Sequence, residues 1–316
     1  MKALVIEKFG GTEVMEWKEI SKPMPQAGEI QIQVEYAGVN PVDWKIREGL
    51  VKHMFPCHFP LILGWDAAGT VSAIGEGVEG VTVGDRMMAY CKKKVVQWGS
   101  FAEYVCMEAQ HCCLIPSKLN TAQAAAIPLV ALTAWQALFD FAKVKAGDQV
   151  LIHAGAGGVG VFAVQLAKWA GATVYSTASS QNHAFVENLG ADEVIDYNFV
   201  DVGEKIKERA PGGLDFVFDC AGGTAHAQAY DILKPGGALV SIVEPIKKEL
   251  ALEKELRACC LVVRPNGEQL QKVLDLIESG KIQAAPIEEI PIDQIVKAFD
   301  QSKKGHTKGK IVLKIT

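Results

Sequence analysis

The chain has 316 residues, 49% of them hydrophobic and 22% charged, with a formal net charge of −5. That length suits two domains, and a mildly acidic chain whose one basic cluster is Lys92-Lys93-Lys94 excludes the footprint of a nucleic-acid binder. No apolar run in it is long enough to span a bilayer, which excludes a helical membrane protein.

In chain order, residues 3–7 read as a first strand, with too short an apolar run for a signal peptide. Ile30, Ile32, Val34 and Tyr36 alternate with Gln31, Gln33 and Glu35. That period of two predicts a half-buried antiparallel strand over 29–36. Further short strands are predicted at 14–18, 67–74, 85–90, 101–107 and 112–115, punctuated by Gly and Pro, which is the pattern of a β-rich, barrel-like domain. The eight cysteines include no CxxC pair and read as free thiols in a reducing cytoplasm rather than a disulfide framework.

From Thr121 the rhythm changes. Helices are predicted at 122–127 and 132–143, broken at Pro128. A strand through Val150-Leu151-Ile152-His153 then enters Ala154-Gly155-Ala156-Gly157-Gly158-Val159-Gly160, followed by a helix over 161–169. Glycines at the first, third and sixth positions, between strand and helix, suit a tight turn, close approach of backbone to a pyrophosphate, and helix–strand packing. The helix N-terminus adds unpaired amides facing the phosphates. Strands at 173–177, 193–197, 214–220, 238–243 and 258–263 alternate with helices at 181–189, 202–209 and 224–233. Such alternation predicts parallel strands with right-handed crossovers in a doubly wound sheet, hence an α/β fold. Asn266 should cap a helix running to about 279, and strands at 287–290 and 310–315 flank a helix at 292–301. The tail is read as returning to the first domain, leaving a cleft suited to a ligand.

Several strings in this order resemble the medium-chain dehydrogenase/reductase superfamily, in its zinc-free quinone oxidoreductase branch. They are Gly38-Val39-Asn40-Pro41-Val42-Asp43, Gly64-Trp65-Asp66-Ala67-Ala68-Gly69, Val83-Gly84-Asp85-Arg86, Gly99-Ser100-Phe101-Ala102-Glu103-Tyr104, Leu132-Thr133-Ala134-Trp135, the glycine turn, and Gly305-His306-Thr307-Lys308-Gly309-Lys310. Within the branch, Asn40-Pro41-Val42-Asp43-Trp44-Lys45 is most similar to the quinone and alkenal/one oxidoreductases. The resemblance implies a GroES-like catalytic domain at 1–121, completed by 265–316, around a Rossmann domain at 122–264. Zinc relatives place Cys and His where this chain has Asn40 or Pro41 and Trp65, so no metal site is expected.

Without a Lewis acid, the chemistry left is hydride delivery from a nicotinamide to a conjugated acceptor, with a few donors stabilising the charge on oxygen. The resemblance places Asn40 against the nicotinamide; as a residue it is equally a turn former before Pro41. Asp43 is read as a cap of a short helix at 44–47 or as orienting Lys45, and Lys45 as a donor to a carbonyl or a solvated lysine. No tyrosine is carried over, because Ile46-Arg47-Glu48-Gly49-Leu50 follows. Trp44, Phe55, Trp65 and Trp98 suit either an acceptor pocket or core packing. Thr133 corresponds to a threonine on the nicotinamide side or is a helix-interior residue bonding back to the preceding turn. His153 reads as a core histidine. Gly155, Gly157, Gly158, Val159 and Gly160 are expected at the pyrophosphate. Cys220, Ala221, Ile242 and Val243 end strands where dinucleotides bind, and His306, Lys308 and Lys310 lie in a tail loop, near phosphate or simply solvated.

The end of the second nucleotide-domain strand, Ser176-Thr177-Ala178-Ser179-Ser180, lacks the carboxylate that holds an NAD ribose 2′-OH. Ser179 and Ser180 leave room for a 2′-phosphate, which favours NADPH. His183 falls where relatives carry lysine and replaces that charge only when protonated. Tyr197 covers the adenine, touches the 2′-phosphate, or is a half-buried strand end. The expectation is a cytoplasmic, homodimeric, NADPH-dependent reductase of quinones or α,β-unsaturated carbonyls. The alternatives are an enoyl or alkenal double-bond reductase with quinones incidental, and an NADPH-binding sensor without turnover.

Overall fold

The chain divides into two units, here described from a computed structural model covering residues 1–305 and 307–316. Unit 1 is Met1–Leu129 with Arg264–Glu278 and Ala284–Thr316, and unit 2 is Val130–Val263 with Ser279–Gln283. Unit 1 begins with β1 (Lys2–Ile6), β2 (Glu16–Glu19), β3 (Glu29–Gly38), α1 (Pro41–Arg47), β4 (Cys57–Ile62), β5 (Asp66–Ile74), β6 (Arg86–Tyr90), β7 (Val96–Trp98), β8 (Tyr104–Glu108), β9 (Cys112–Leu114) and α2 (Thr121–Ala125). Then come α3 (Pro128–Trp135), β10 (Gln149–Ile152), α4 (Gly158–Trp169), β11 (Thr173–Thr177), α5 (His183–Asn188), β12 (Glu193–Ile195), α6 (Val202–Arg209), β13 (Leu214–Asp219), α7 (Thr224–Ile232), β14 (Leu233–Ser241), α8 (Lys248–Glu253) and β15 (Arg257–Cys260). The tail supplies α9 (Gly267–Glu278), β16 (Ile287–Pro291), α10 (Ile295–Lys304) and β17 (Lys310–Lys314) to unit 1.

Unit 1 holds two sheets. One runs β2-β1-β4-β7; the other runs β16-β17-β3-β5-β6-β9, with β8 also paired to β3. The alternation in β3 buries Ile30, Ile32 and Val34 completely. Strands β4 and β7 do not show in the sequence pattern: Pro60 interrupts the first, His58, Phe59 and Pro60 are exposed in a row, and the second has only three residues. The strand expected at 14–18 is the end of a 3₁₀ turn followed by β2, with all five predicted residues at most half-buried on an edge that gives no core-facing stripe.

Unit 2 is a parallel sheet in the order β12-β11-β10-β13-β14-β15. The strand order reverses between β10 and β13, which is the doubly wound arrangement whose ligands gather at the carboxyl ends of the strands. Leu151, Val217 and Leu239 line one face and take Ile206, Ala229 and Tyr230 from α6 and α7. Each fully buried large apolar side chain of this kind contributes about 1.5–3 kcal/mol. The break expected at Pro128 falls between α2, which ends at Ala125, and α3, which Pro128 opens because the first turn needs no amide hydrogen from it. The helix expected to run to 143 widens into a π-helical stretch at Gln136–Ala142 and stops at Lys143, whose φ is 61°. Among the described residues, no helix is long and apolar enough to cross a membrane, and all eight cysteines are free.

Candidate functional site

The glycine turn of unit 2 sits between β10 and α4. Ala154, at φ 56°, turns the chain, and its amide donates to Thr177 Oγ1 at 3.0 Å while the Gly155 amide donates to Thr177 O at 3.0 Å. A Cβ on Gly155 would lie 2.2 Å from Ser176 Oγ, and one on Gly160 would lie 2.2 Å from Ala154 O. Both positions therefore admit only glycine if the turn is to hold its shape. A Cβ on Gly157 would meet a single neighbour, Ala154 O at 3.3 Å, so that side of the turn is open to an incoming group. The Val161 amide bonds to Gly157 O at 2.9 Å, so the amides of Gly158, Val159 and Gly160 precede the helical ladder. The open face, the tight neighbours and the helix start fit a pyrophosphate.

Beyond β11 the chain passes Ala178 and Ser179 into a short turn and then α5. Ser180 donates its hydroxyl to Asp196 Oδ2, and Asn198 donates both its backbone and side-chain N–H to Asp196 Oδ1 at 2.9 Å. The Ser180 hydroxyl and the Asn198 amide hold the Asp196 carboxyl below the usual carboxylate range. His183 Nε2 lies 3.2 Å from Ala178 O and 4.0 Å from Asp196 Oδ2. Tyr197 is exposed rather than half-buried. Asp196 was not legible as a site residue, because its carboxylate comes from the third strand rather than the second, and only the β11–β12 pairing sets them side by side.

At the ends of β13 and β14, Asp219 organises the turn that carries Cys220 and Ala221. Its Oδ1 accepts from the amides of Ala221 at 3.0 Å and Gly222 at 2.7 Å; its Oδ2 accepts from Ser241 Oγ and His226 Nδ1, both at 2.8 Å. Burial pushes the Asp219 carboxyl up, but these hydrogen bonds outweigh it and leave it below its ordinary value. The Tyr230 hydroxyl accepts from the Lys247 amide at 2.9 Å and so donates to His226 Nε2 at 3.1 Å. Ser241 Oγ in turn accepts from the amides of Val243 and Glu244, while Ile242 donates to Asp219 O at 3.1 Å. The four residues expected here, Cys220, Ala221, Ile242 and Val243, are thus brought together by Asp219 and Ser241. His153, buried beside them, has no partner for Nε2; burial pushes its pKa down to about 4 against the pull of Asp219.

Unit 1 holds a second polar group, fully buried. The β17–β3 register aligns Val312 with Gly38, and continuing it past the strand end sets Lys310 beside Asn40. The β3–β5 register sets Asp66 across from Gly38. Lys310 Nζ donates to Asn40 Oδ1 and to Val39 O, both at 2.6 Å, and lies 3.7 Å from Asp66 Oδ2. Asn40 Nδ2 donates to Asp66 Oδ2 at 2.8 Å, and Asp66 Oδ1 accepts from the Leu129 amide at 2.8 Å. Asn40 is 1% exposed, with both ends of its amide engaged. Asp43 accepts from the Asn40 amide at 2.7 Å, the return half of a capping box, and does not orient Lys45. The Lys45 ammonium lies 5.6 Å from the Trp44 ring centroid. Burial raises Asp43 to about 7 against the Asn40 amide and Lys310, raises Asp66, and lowers Lys310.

Lys310 is therefore a strand residue in the interior and not part of a solvated tail loop. Lys308 is exposed, and His306 lies outside the described residues. Thr133 is buried on α3. Trp65 packs edge-on against Phe55, centroids 5.1 Å apart, and is 4% exposed, which is a core role. Among the described residues, no three His, Cys, Asp or Glu side chains converge as a metal site would require.

Residues 26–117 match the alcohol dehydrogenase GroES-like domain family, and residues 189–313 match a family described as zinc-binding dehydrogenase. The chain is 32% identical to the chloroplast envelope quinone oxidoreductase homolog of Arabidopsis thaliana, over 99% of this chain and 98% of that protein. It is 33% identical to the NADPH-dependent alkenal/one oxidoreductase, chloroplastic, of the same organism, over 99% of this chain and 79% of that protein. Among solved structures, the quinone oxidoreductase from Coxiella burnetii superimposes with a TM-score of 0.89 at 36% identity, covering 100% of this chain and 99% of that one.

Proposed function

Because the chain belongs to the medium-chain dehydrogenase/reductase superfamily, among its quinone and alkenal/one oxidoreductases, we propose that it is a zinc-independent reductase transferring hydride from NADPH to quinones or α,β-unsaturated carbonyls. The observation that carries the reading is the open glycine turn, whose Gly155 and Gly160 tolerate no Cβ. Gly155, Gly157, Gly158, Val159 and Gly160 would hold the pyrophosphate; Cys220, Ala221, Ile242 and Val243, fixed by Asp219 and Ser241, would line the nicotinamide end with Thr133. The bound nicotinamide supplies the hydride. Ser179, Ser180, His183 and Tyr197 would face the adenosine half, with no carboxylate ending β11, and Lys308 would serve the phosphates.

In unit 1, Asp66 and Lys310 hold the Asn40 amide, and Asp43 holds its backbone, so that α1 and the Lys45 it carries keep one position. Lys45 is the proposed donor to the acceptor's oxygen, a contribution worth about 10²–10³ in rate for one such donor. An alkenal-type double-bond reductase is the second reading, favoured by the likeness to the alkenal/one oxidoreductase. The homodimer and the cytoplasmic location expected from the sequence belong to the same proposal. Following NADPH consumption with quinones, enones and saturated carbonyls tests it: turnover confined to conjugated acceptors supports the reading. Tight NADPH binding with no turnover of any of these acceptors refutes it.

A further inference from the structure

We propose that unit 2 carries an anion site at the amino ends of its parallel strands, built for a phosphate group and separate from the glycine turn. A cavity of about 270 Å³ opens there. Its charged wall is Lys143, Lys145 and Asp148 ahead of β10, Asp215 on β13, Lys234 on β14 and Arg257 at the start of β15. The rest is Ala142, Phe216 and the backbone of Gly236 and Gly237, so an apolar ligand finds little to bury against. The glycine turn follows the other end of β10, whose four residues separate the two places by about 13 Å at 3.3 Å per residue. An anion in this cavity is therefore a ligand of its own, and the inference holds whether or not a dinucleotide occupies the turn.

Four cations against two carboxylates leave an excess of two positive charges here, in a chain whose net charge is −5. Both carboxylates already have work. Asp215 bridges Lys234 at 2.5 Å and accepts from the Gln149 amide at 3.0 Å; Asp148 accepts from the Lys145 amide at 3.0 Å. Arg257 is held by carbonyls rather than by an acid. It donates to Phe141 O and Ala142 O, both at 3.1 Å, and to Gly236 O at 3.4 Å. Its position is thus fixed while its charge is not cancelled by an ion pair, and part of its fork of N–H donors stays available. Among the described residues, no carboxylate pairs with Lys143 or Lys145, and both are exposed at the cavity's mouth. A phosphate carries about −1.5 to −2 charges at pH 7 and three strong acceptor oxygens, which matches the excess; a single carboxylate would leave one positive charge unmatched. The volume lies just below the usual range for ligand pockets, which suits a free phosphate or a small phosphate ester rather than a second dinucleotide.

The test is a titration of the full-length protein with inorganic phosphate and, separately, with glycerol phosphate, followed through backbone amide shifts. At about pH 7.5 both probes are mainly dianions. Saturable shifts are expected at residues 143–148 and 234–237, with affinity falling as sodium chloride is raised. Lys143 sits at φ 61°, a conformation asparagine tolerates, so Lys143→Asn with Lys145→Gln removes both charges without straining the turn. That pair should weaken binding about tenfold, within the range for two exposed charge pairs. Asp148→Asn removes an opposing charge and should tighten it. Binding of either probe at these amides supports the proposal, and the tighter one tells a free phosphate from an ester. The proposal is overturned if neither probe moves these amides, if the shifts are confined to residues 155–160, or if the double variant binds as tightly as the wild type.

Discussion

Replacing Lys310 by Met should destabilise unit 1 in a pH-dependent way. Lys310 donates to Val39 O and Asn40 Oδ1 and lies 3.7 Å from Asp66, all in the interior. Met fills the volume but leaves Asn40 Oδ1 and Val39 O without that donor, and leaves Asp43 and Asp66 without the cation that pulls their pKa values down. Removing one partner of a buried ion pair costs about 3–5 kcal/mol. Part of this is relieved when a carboxyl takes a proton, and Asp43 already titrates at about 7. The sign follows from the raised folded-state pKa values. Stability from a raised carboxyl is fully present below the unfolded value and lost as pH rises through the folded one. Lys310→Met raises the folded values further, so the gap from wild type should widen with pH. The expectation is about 3 kcal/mol near pH 8, or about 6–12 °C in Tm, shrinking to about 1 kcal/mol near pH 5.5. Urea unfolding at both pH values, with hydrogen exchange of the β3 and β17 amides to locate the loss, measures it. A gap that is small at pH 8, or larger at pH 5.5, refutes the buried-charge reasoning.

Gly160→Ala should abolish dinucleotide binding, losing at least about tenfold in affinity by calorimetry, because its Cβ would meet the Ala154 carbonyl, which is backbone and cannot swing away. Gly155→Ala should fail too but recover in part with Ser176→Gly, since its closest obstacle is the Ser176 hydroxyl; no recovery would count against the assigned clash. His153→Asn should remove a stability slope. Burial pushes the folded pKa down to about 4, below the ordinary imidazole value of about 6.5, so stability falls as pH drops between them, by about 3 kcal/mol for the wild type, and denaturant midpoints across that window should flatten in the variant. Asp219→Asn should cost about 2–4 kcal/mol by weakening four hydrogen bonds to a charged acceptor. It should also speed amide exchange at Ala221 and Gly222 by about tenfold or more; unchanged exchange there would show that the turn does not depend on Asp219.

Much of the architecture was legible because it is local. The period of two in β3, the glycine spacing after β10 and the strand–helix alternation that follows are short-range patterns, and each produced its element, though α4 and β14 begin three and five residues earlier than expected and β15 ends three residues earlier. Asn266 capping α9 through the Gln269 amide at 2.9 Å is another such case. Strands β4 and β7, only the second of them at a sheet edge, were hidden because they bury no regular stripe. The polar clusters were hidden for a different reason. Lys310 looks like one of several tail lysines until the antiparallel register of β17 on β3 carries it beside Asn40. Asp196 looks like a strand-end acid until β12 pairs with β11 and sets it against Ser180 and His183. The order of residues determined which segments form strands and helices and where a helix start leaves amides outside the ladder, since propensity and periodicity act within a turn or two. Which charges share a low-dielectric interior depends on strand register across 270 residues of chain separation, and only the tertiary structure decides that.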